Sequence, residues 1–282
     1  MSDLSNKIAV VTGASRGVGR GIALGLGEAG ATVIITGRTT KEGESAGDRD
    51  LAGSIYRTAE EVRALGGVCV PFRCDHRDDA EVEAVFTRVL SEHGRIDVLV
   101  NNVWGGYEAM VDEAGEFNWE NPFWLQPMWR WDAMFGAGVR ASYFASRLAA
   151  PNMVERRAGL IVNISFWAAQ KYLANVAYGV SKAATDRMTA DMAHELRPFD
   201  VAVVSLYPGL VRTEAVMRAA EFFDLSNSES PQFVGRAVAA LAADPDILEK
   251  TGQVLVAASV AREYGVRDVD GKSPEPLTLA AA

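Results

Sequence analysis

Cysteine is nearly absent from this 282-residue chain, which has only Cys69 and Cys74. The two lie five positions apart on one predicted strand, so their side chains should point to opposite faces of a sheet. That placement excludes a disulfide between them. Both lie in the apolar run VCVPFRC, and we find no histidine placed to activate either thiol. We therefore expect structural thiols in a reducing compartment.

The sequence also lacks long apolar runs, clusters of basic residues and histidines with metal-ligand spacing, and each absence excludes a class of protein. No apolar run approaches the roughly 18 residues of a membrane span, and the start MSDLSNKIAVVTGAS lacks a charged-then-apolar leader, which predicts a cytoplasmic protein without a membrane partner. The 28 basic residues form no cluster and are outnumbered by 37 acidic ones, so nucleic acid is not an expected partner. The histidines have no ligand spacing, which predicts no metal site; they are His76, His93 and His194.

Short apolar runs alternate with longer segments of helical period along the chain. This order predicts an α/β fold of Rossmann type, a doubly wound seven-stranded parallel sheet with helices on both faces. The predicted strands are 7–12, 32–37, 68–74, 96–101, 160–164, 201–207 and 253–256. The predicted helices are 19–29, 54–65, 78–93, 131–156, 178–197 and 231–243. We expect a single domain over 1–282, with inserted loops near 39–53, 104–130 and 213–230 along the edge where ligands bind.

A glycine-rich turn, in VVTGASRGVGRGIALGLG, joins the first predicted strand to the first predicted helix. One glycine allows the tight turn, one lets the backbone approach a pyrophosphate, and one lets the helix pack closely on the strand. Free N–H groups at the helix N-terminus favour the same anion. A turn of this kind can also be only a turn. As a dinucleotide site, its candidate contacts are Gly13, Ser15, Arg16, Gly17, Val18 and Gly19.

The second predicted strand ends Thr36-Gly37-Arg38, where an NAD-binding fold normally has a carboxylate for the adenosine ribose. Arg38 and Arg16 instead offer two guanidinium groups, which suit a 2′-phosphate through charge-assisted, often bidentate hydrogen bonds. We therefore expect NADP(H) rather than NAD(H) as cofactor. The alternative is a pair of solvated surface arginines.

The segment YGVSK places Tyr178 and Lys182 four residues apart near the start of a helix, and therefore on one face. Ser165 closes a strand thirteen residues before the tyrosine. This set resembles that of the short-chain dehydrogenase/reductase family, and the glycine turn resembles the family's TGxxxGxG. The resemblance spans nearly the whole chain. It implies an oxidoreductase in which Ser165, Tyr178 and Lys182 are catalytic.

These residue types suit carbonyl reduction. Hydride transfer from NADPH leaves an alkoxide that needs a proton, and a tyrosine with a pKa near 10 is poorly matched to pH 7. An ammonium about 4 Å from the phenolate is worth up to roughly 4 kcal/mol at an effective dielectric near 20, so Lys182 should lower the pKa of Tyr178 by as much as about three units. The resemblance further implies that Lys182 holds the nicotinamide ribose and that Ser165 orients the carbonyl.

Other stretches resemble family segments in the family's order. Asp75 follows the third predicted strand, where relatives contact the adenine, and Asn102 lies in NNVW, which is similar to the family's NNAG. The stretch PGLVRT is similar to PGxVxT, which binds the nicotinamide carboxamide. The resemblance therefore adds to the cofactor contacts Asp75, Asn102, Pro208, Gly209, Val211 and Thr213.

Two further positions depart from the family pattern. Relatives have an asparagine on the fourth helix that anchors a water in a proton relay to the lysine, and Gly138 stands there, seven residues after Trp131. Phe166 follows Ser165, where many relatives have a second hydroxyl. The segments VAYGVSKAATDRMTADMAHELRP and SPQFVGRAVAALAADPD are similar to the dehydrogenase/reductase member 1 subgroup.

Aromatic residues crowd the segment 104–130, which follows the fourth predicted strand: Trp104, Tyr107, Phe117, Trp119, Phe123, Trp124 and Trp129. They suit a pocket wall for a bulky, apolar carbonyl compound, although aromatic residues also serve as core or subunit contacts. The family associates through its fourth and fifth helices, so the resemblance implies a homodimer or homotetramer.

The function predicted from these features is NADP(H)-dependent interconversion of a carbonyl compound and its alcohol, with Tyr178 as general acid/base. A non-catalytic NADP(H)-binding regulatory protein would keep the glycine turn and typically lose the tyrosine or lysine. A lyase- or dehalogenase-like relative would degrade the turn and usually replace the lysine. Tyr178, Lys182 and the glycines argue against both alternatives, while Gly138 keeps them open.

Overall fold

In the computed structural model, which describes residues 3–43, 51–111 and 115–281, seven strands form one sheet. The strands are β1 (Ile8–Val11), β2 (Thr32–Gly37), β3 (Val68–Arg73), β4 (Val98–Asn101), β5 (Gly159–Ile164), β6 (Val201–Tyr207) and β7 (Val254–Val256). Their order is β3-β2-β1-β4-β5-β6-β7 and every pair is parallel. The predicted fold class is confirmed. The chain reverses direction across the sheet between β1 and β4, where such folds bind ligands.

Helices cover the sheet. They are α1 (Gly17–Glu28), α2 (Ile55–Ala64), α3 (Asp79–His93), α4 (Met128–Ala133), α5 (Ala141–Arg156), α6 (Val176–Leu196), α7 (Glu214–Arg218), α8 (Pro231–Ala243) and α9 (Ala257–Glu263). The short helices α7 and α9 were not predicted. None of the helices in the described ranges is long and apolar enough to cross a membrane.

The prediction of one regular helix over 131–156 is wrong in detail. Helical backbone begins earlier, at Met128, and a π-helical stretch at Met134–Arg140 separates α4 from α5. The stretch reads MFGAGVR, and its two glycines lower the helix propensity there. Stretches of this kind are frequent at functional sites.

The core has two halves because neighbouring residues of each buried strand face opposite sides of the sheet. Val11 and Ile35 pack in one apolar cluster, and Val10 and Ile34 pack in the other. Cys69 lies in the first cluster and Cys74 in the second, which confirms their predicted separation. Burial raises the pKa of each thiol to about 12, so neither is a nucleophile near neutral pH.

The three irregular segments follow β2, β4 and β6, at the carboxyl edge of the sheet. The segment 104–130, called the insert below, leads into α4, and the segment 213–230 contains α7. Residues 44–50 of the first segment and 112–114 of the insert lie outside the described residues. The edge that should bind ligands is therefore bordered by all three.

Candidate active site

The glycine turn is sterically tight. Gly13 and Gly17 have φ of 68° and 58°, in the left-handed region that favours glycine. A Cβ at Gly19 would lie 2.3 Å from both the Gly13 carbonyl oxygen and Asn102 Nδ2. Asn102 braces the turn because its amide donates to the carbonyl oxygens of Thr12, at 3.1 Å, and Gly13, at 2.9 Å. Each of the three glycines thus meets a demand of the backbone.

The start of α1 holds an anion in this structure. Glu214 Oε2 accepts a hydrogen bond from the Gly17 N–H at 2.8 Å. Thr213, the N-cap of α7, packs beside Gly17, with its methyl carbon 3.5 Å from where a Cβ would be. The carboxylate of Glu214 stands in for a phosphate at the helix N-terminus, so the turn fits a nucleotide diphosphate.

The stretch from Pro208 to Thr213 continues from the end of β6. Glu229 holds it, since its carboxylate accepts from the Gly209 N–H at 3.0 Å and residue 229 bridges to Val211. Glu229 is 1% exposed, and burial raises its pKa to about 7. The predicted nicotinamide-binding stretch is therefore anchored on a buried carboxyl group.

Arg38 lies at the end of β2 between two carboxylates. Its Nη1 is 4.0 Å from Asp75 Oδ2, and its Nη2 is 3.7 Å from Glu108 Oε1. Asp75 makes its closer ion pair with Arg77, at 2.8 Å, and this hydrogen bond lowers the pKa of Asp75 to about 2. The guanidinium of Arg38 thus has acidic neighbours without a short ion pair to either.

Arg16 lies at the same corner. Its Nε donates to the carbonyl oxygen of Ala52 at 3.1 Å, and its Nη2 donates to that of Gly53 at 3.2 Å. Ser15 packs against Gly37, so the glycine turn and the end of β2 are in contact. Val18 packs on the core. The structure therefore places the glycine turn against the end of β2, while the Arg16 guanidinium donates to the backbone of residues 52 and 53.

Asn175 starts α6 and also connects it to the insert. Its Oδ1 accepts from the Tyr178 N–H at 3.2 Å, and its Nδ2 donates to the Trp119 carbonyl oxygen at 3.1 Å. Tyr178 and Lys182 are one turn apart on this helix, and both are buried. One residue thus fixes the start of the helix and the position of the loop above it.

Lys182 and Ser165 meet where β5 ends against α6. Lys182 Nζ donates to the Ile164 carbonyl oxygen at 3.2 Å, and the Ser165 hydroxyl donates to the Lys182 carbonyl oxygen at 3.3 Å. Phe166 packs instead with the aromatic cluster around Tyr178. Ser165 therefore has the register expected of it, but in the described part of the chain its hydroxyl makes no hydrogen bond to Tyr178.

Three aromatic residues of the insert surround Tyr178. Their ring centroids lie 5.6 Å (Trp119), 5.7 Å (Trp104) and 6.1 Å (Tyr107) from that of Tyr178. The Tyr107 hydroxyl is also near enough to Tyr178 to contribute to the raised pKa of Tyr178, after burial. Part of the predicted pocket wall therefore lies against the candidate acid, while Phe123 and Trp124 are exposed.

The expected lowering of the Tyr178 pKa is wrong for this arrangement. Burial and the neighbouring Tyr107 raise the pKa of Tyr178 well above its usual value. The Lys182 ammonium lies 5.9 Å from the tyrosine ring centroid and donates elsewhere. Burial also lowers the pKa of Lys182 to about 7, which reduces its charge at neutral pH.

Arg130 is buried and holds the insert together through its hydrogen bonds. Its side chain is 1% exposed and donates to the carbonyl oxygen of Ala109 at 3.2 Å, to the carbonyl and side-chain oxygens of Asn118, and to Gln126 Oε1. Its guanidinium carbon also lies 5.5 Å from the Trp119 ring centroid. Arg130 thus ties both ends of the insert to the tryptophan that covers Tyr178.

Comparison with known proteins settles the family. A family model described as short chain dehydrogenase matches residues 7–222. The chain belongs to the short-chain dehydrogenase/reductase family. Dehydrogenase/reductase SDR family member 1 of Mus musculus is 42% identical, over 96% of this chain and 86% of that protein, which supports the predicted subgroup.

Two solved short-chain dehydrogenase/reductase structures share the fold and contain a nicotinamide cofactor. One is 7 alpha-hydroxysteroid dehydrogenase complexed with NADH and 7-oxo glycochenodeoxycholic acid, with a TM-score of 0.72, 26% identity, and coverage of 90% of this chain and 93% of that one. The other is a metagenomic short-chain oxidoreductase in complex with NADP, with a TM-score of 0.68, 31% identity, and coverage of 90% and 97%. The family binds a nicotinamide cofactor, and its members are oxidoreductases.

Sequence reasoning about this short-chain dehydrogenase/reductase missed three contributors to the site. Asn175 had a readable signal, because asparagine is a preferred N-cap and stands three residues before Tyr178. Arg130 had none, since a buried arginine looks in sequence like a surface one. The pairing of Tyr107 with Tyr178 depends on the path of the insert, which its irregular sequence does not specify.

Proposed function

We propose that this protein is an NADP(H)-dependent oxidoreductase that interconverts a ketone or aldehyde and its alcohol. The observation that supports the proposal is that Lys182 Nζ donates to the Ile164 carbonyl oxygen, next to Ser165 at the end of β5, and lies 5.9 Å from the Tyr178 ring centroid. This sheet edge also carries the glycine turn. Bound NADP(H) would supply or take the hydride. It would be held by the glycine turn, by Asn102 and by the stretch 208–213, within one domain over 1–282.

Tyr178 acts as the general acid in this proposal. Burial raises its pKa, so the resting phenol is protonated at neutral pH but is a weaker acid than an ordinary tyrosine, and its proton transfer to the oxygen that becomes the alcohol needs the charge of Lys182. Ser165 orients the carbonyl oxygen, and the Lys182 ammonium favours the phenolate left after the proton has moved. Reduction at neutral pH therefore depends on how far the Lys182 charge offsets the raised pKa of Tyr178.

The experiment replaces Tyr178 with Phe. Turnover of bulky ketones and aldehydes, followed by the loss of NADPH absorbance, should fall by about 10²- to 10⁴-fold. NADPH binding, measured by nicotinamide fluorescence, should stay nearly unchanged because the ring remains. Tyr172→Phe is the matched control, since that side chain is 69% exposed. Retained turnover in Tyr178→Phe would exclude the proposed acid.

Arg38 supports the choice of NADP(H). Among the described residues its ion pairs are no shorter than 3.7 Å, so its guanidinium can turn to a 2′-phosphate, and Arg16 lies in the neighbouring glycine turn. Arg38→Asp should weaken NADPH binding by about 10- to 100-fold, the worth of one charge-assisted hydrogen bond, and NADH binding much less. Fluorescence titration with both nucleotides checks this. Equal losses for the two would contradict the 2′-phosphate assignment.

The aromatic wall supports a bulky, apolar substrate. Trp104, Tyr107 and Trp119 lie against Tyr178, so a carbonyl that reaches the phenol must displace or pack on aromatic rings. The Trp104 Nε1–H is buried without an acceptor among the described residues, and a polar substrate atom could accept from it. The name of the relative that acts on hydroxysteroids is in keeping with this class. Homodimers or homotetramers are part of the same proposal.

A further inference from the structure

Two departures from the family pattern meet in space. Gly138 replaces the helix-four asparagine, and Trp104 stands in NNVW where relatives have NNAG. A Cβ at Gly138 would lie 2.8 Å from Trp104 Cζ3 and 2.9 Å from Cε3. Gly136, two residues earlier in the same π-helical stretch, has nothing within 4 Å of its own Cβ position. The indole, and not the helix, therefore requires glycine at position 138.

The same indole contacts the candidate lysine. Lys182 Nζ lies 4.0 Å from the centroid of the Trp104 ring, within the range of a cation–π interaction. Its one hydrogen-bond acceptor in the described ranges is the Ile164 carbonyl oxygen, and it makes no ion pair there. The indole also lies edge-on to Tyr178, at an interplanar angle of 75°.

We propose that Trp104 is a positioning residue for Lys182: its indole, seated on Gly138, holds the ammonium beside Tyr178. A π system attracts the cation without neutralising it, so the charge remains available to the phenolate. A carboxylate in the same place would compete with the phenolate for the charge. The role rests on the proposed function, in which Tyr178 and Lys182 act together.

Few other charged groups face Lys182. Asp186, one turn further along α6, is the nearby carboxylate that favours the ammonium. Its oxygens already accept from the Ser205 hydroxyl, at 2.7 Å, and from the Tyr207 hydroxyl. Tyr178 and Tyr107 are the titratable groups on the side of the insert. Trp104 is thus the contact whose removal should change the lysine most.

The direct test is the titration of Lys182 by NMR of the intact protein labelled with ¹³Cε-lysine, with Lys182→Met to assign the signal. Trp104→Leu keeps an apolar cover and removes the π face, so the pKa of Lys182 should fall by about 0.4 to 1.5 units. Trp104→Phe keeps a weaker π face, so the pKa of Lys182 in this variant should lie between its values in the unmodified protein and in Trp104→Leu. An unchanged or raised pKa in Trp104→Leu would show that the indole only buries the lysine, and would overturn the proposal.

Substitution of Gly138 tests the same contact while the tryptophan stays in the protein. Gly138→Ala should push the indole aside and shift the pKa of Lys182, whereas Gly136→Ala should not. In the Trp104→Leu background the same Gly138→Ala change should have little further effect, because the flexible leucine gives way. An equal effect of Gly138→Ala in both backgrounds would overturn the coupling between residues 104 and 138.

The titration needs no substrate, so its result is separate from that of the proposed function. If the unmodified protein turns over carbonyl compounds, Trp104→Leu should also move the alkaline limb of its kcat/KM profile to lower pH by the shift that NMR measures. An unmoved limb beside a shifted NMR pKa would mean that Lys182 does not govern the reaction. Absence of turnover with a shifted pKa would contradict the proposed function and leave the contact established.

Discussion

The buried arginine of the insert gives the sharpest stability prediction. Arg130→Met keeps much of the apolar stem and removes every hydrogen bond that the guanidinium donates. The carbonyl oxygens of Ala109 and Asn118 and the side-chain oxygens of Asn118 and Gln126 would lose their donor together. Water can reach them only if the insert loosens. We therefore expect the insert to open and Trp119 to leave Tyr178.

The size of the effect follows from those bonds. A hydrogen bond to a charged group contributes roughly 1.5–3 kcal/mol and a typical one about 1 kcal/mol, but removal of a buried charge returns part of its desolvation cost. We expect a net loss of about 2–4 kcal/mol in the free energy of unfolding. That is a large share of the stability of a typical domain.

Urea unfolding measures the loss, and limited proteolysis locates it in the insert. The control is Arg140→Met, the same substitution at an ion pair with Asp79 whose partners are 55% and 43% exposed. An exposed ion pair contributes little to stability, so this control should unfold almost like the unmodified protein. Equal stability of the two variants, with equal proteolysis of the insert, would refute the role of Arg130.

Two further predictions concern the cofactor edge. Gly19→Ala should lower NADPH affinity by at least about tenfold and lower the free energy of unfolding by about 1–3 kcal/mol, because its Cβ would overlap the Gly13 carbonyl oxygen. Gly136→Ala is the control. Equal NADPH titrations and melting curves for the two variants would contradict the role of the glycine turn. Burial raises the pKa of Glu229 from 4.5 to about 7 in the folded protein, so between these pH values its carboxyl group holds a proton more often in the folded than in the unfolded state. The contribution of Glu229 to stability is therefore lost as the pH rises from about 4.5 to 7. Glu229→Gln should remove that decline, which urea unfolding at several pH values across this range measures. An unaltered dependence of the free energy of unfolding on pH would exclude a raised pKa of Glu229.

The sheet was predictable because its signals are local. Each strand is a short apolar run, and the glycine punctuation fits the helix ends: Gly94 follows α3 in the left-handed conformation that ends a helix. The π-helical stretch could not be read in the same way. It lies inside the segment 131–156 whose pattern predicted one regular helix, and the glycines Gly136 and Gly138 look alike in sequence although only the second packs on an indole.

The site was predictable as a set of residues and less so as an arrangement. Tyr178 and Lys182 share a face because a helix puts them there, and Ser165 follows from the end of β5. The raised pKa of Tyr178 is caused by burial and by Tyr107, and both depend on the tertiary path of the insert. Spacing along the chain holds no information about that contact.

Glu214 has a consequence for how nucleotide affinities are to be understood. Its carboxylate accepts the Gly17 N–H, the same donor that a phosphate would take at the start of α1. The two acceptors therefore compete for one donor. A measured nucleotide dissociation constant reflects the difference between the two interactions. A phosphate that takes the Gly17 N–H must first displace the Glu214 carboxylate from it, which lowers the net gain from binding at α1. The side chain of Glu214 thus connects the phosphate-binding end of α1 with the segment that follows β6.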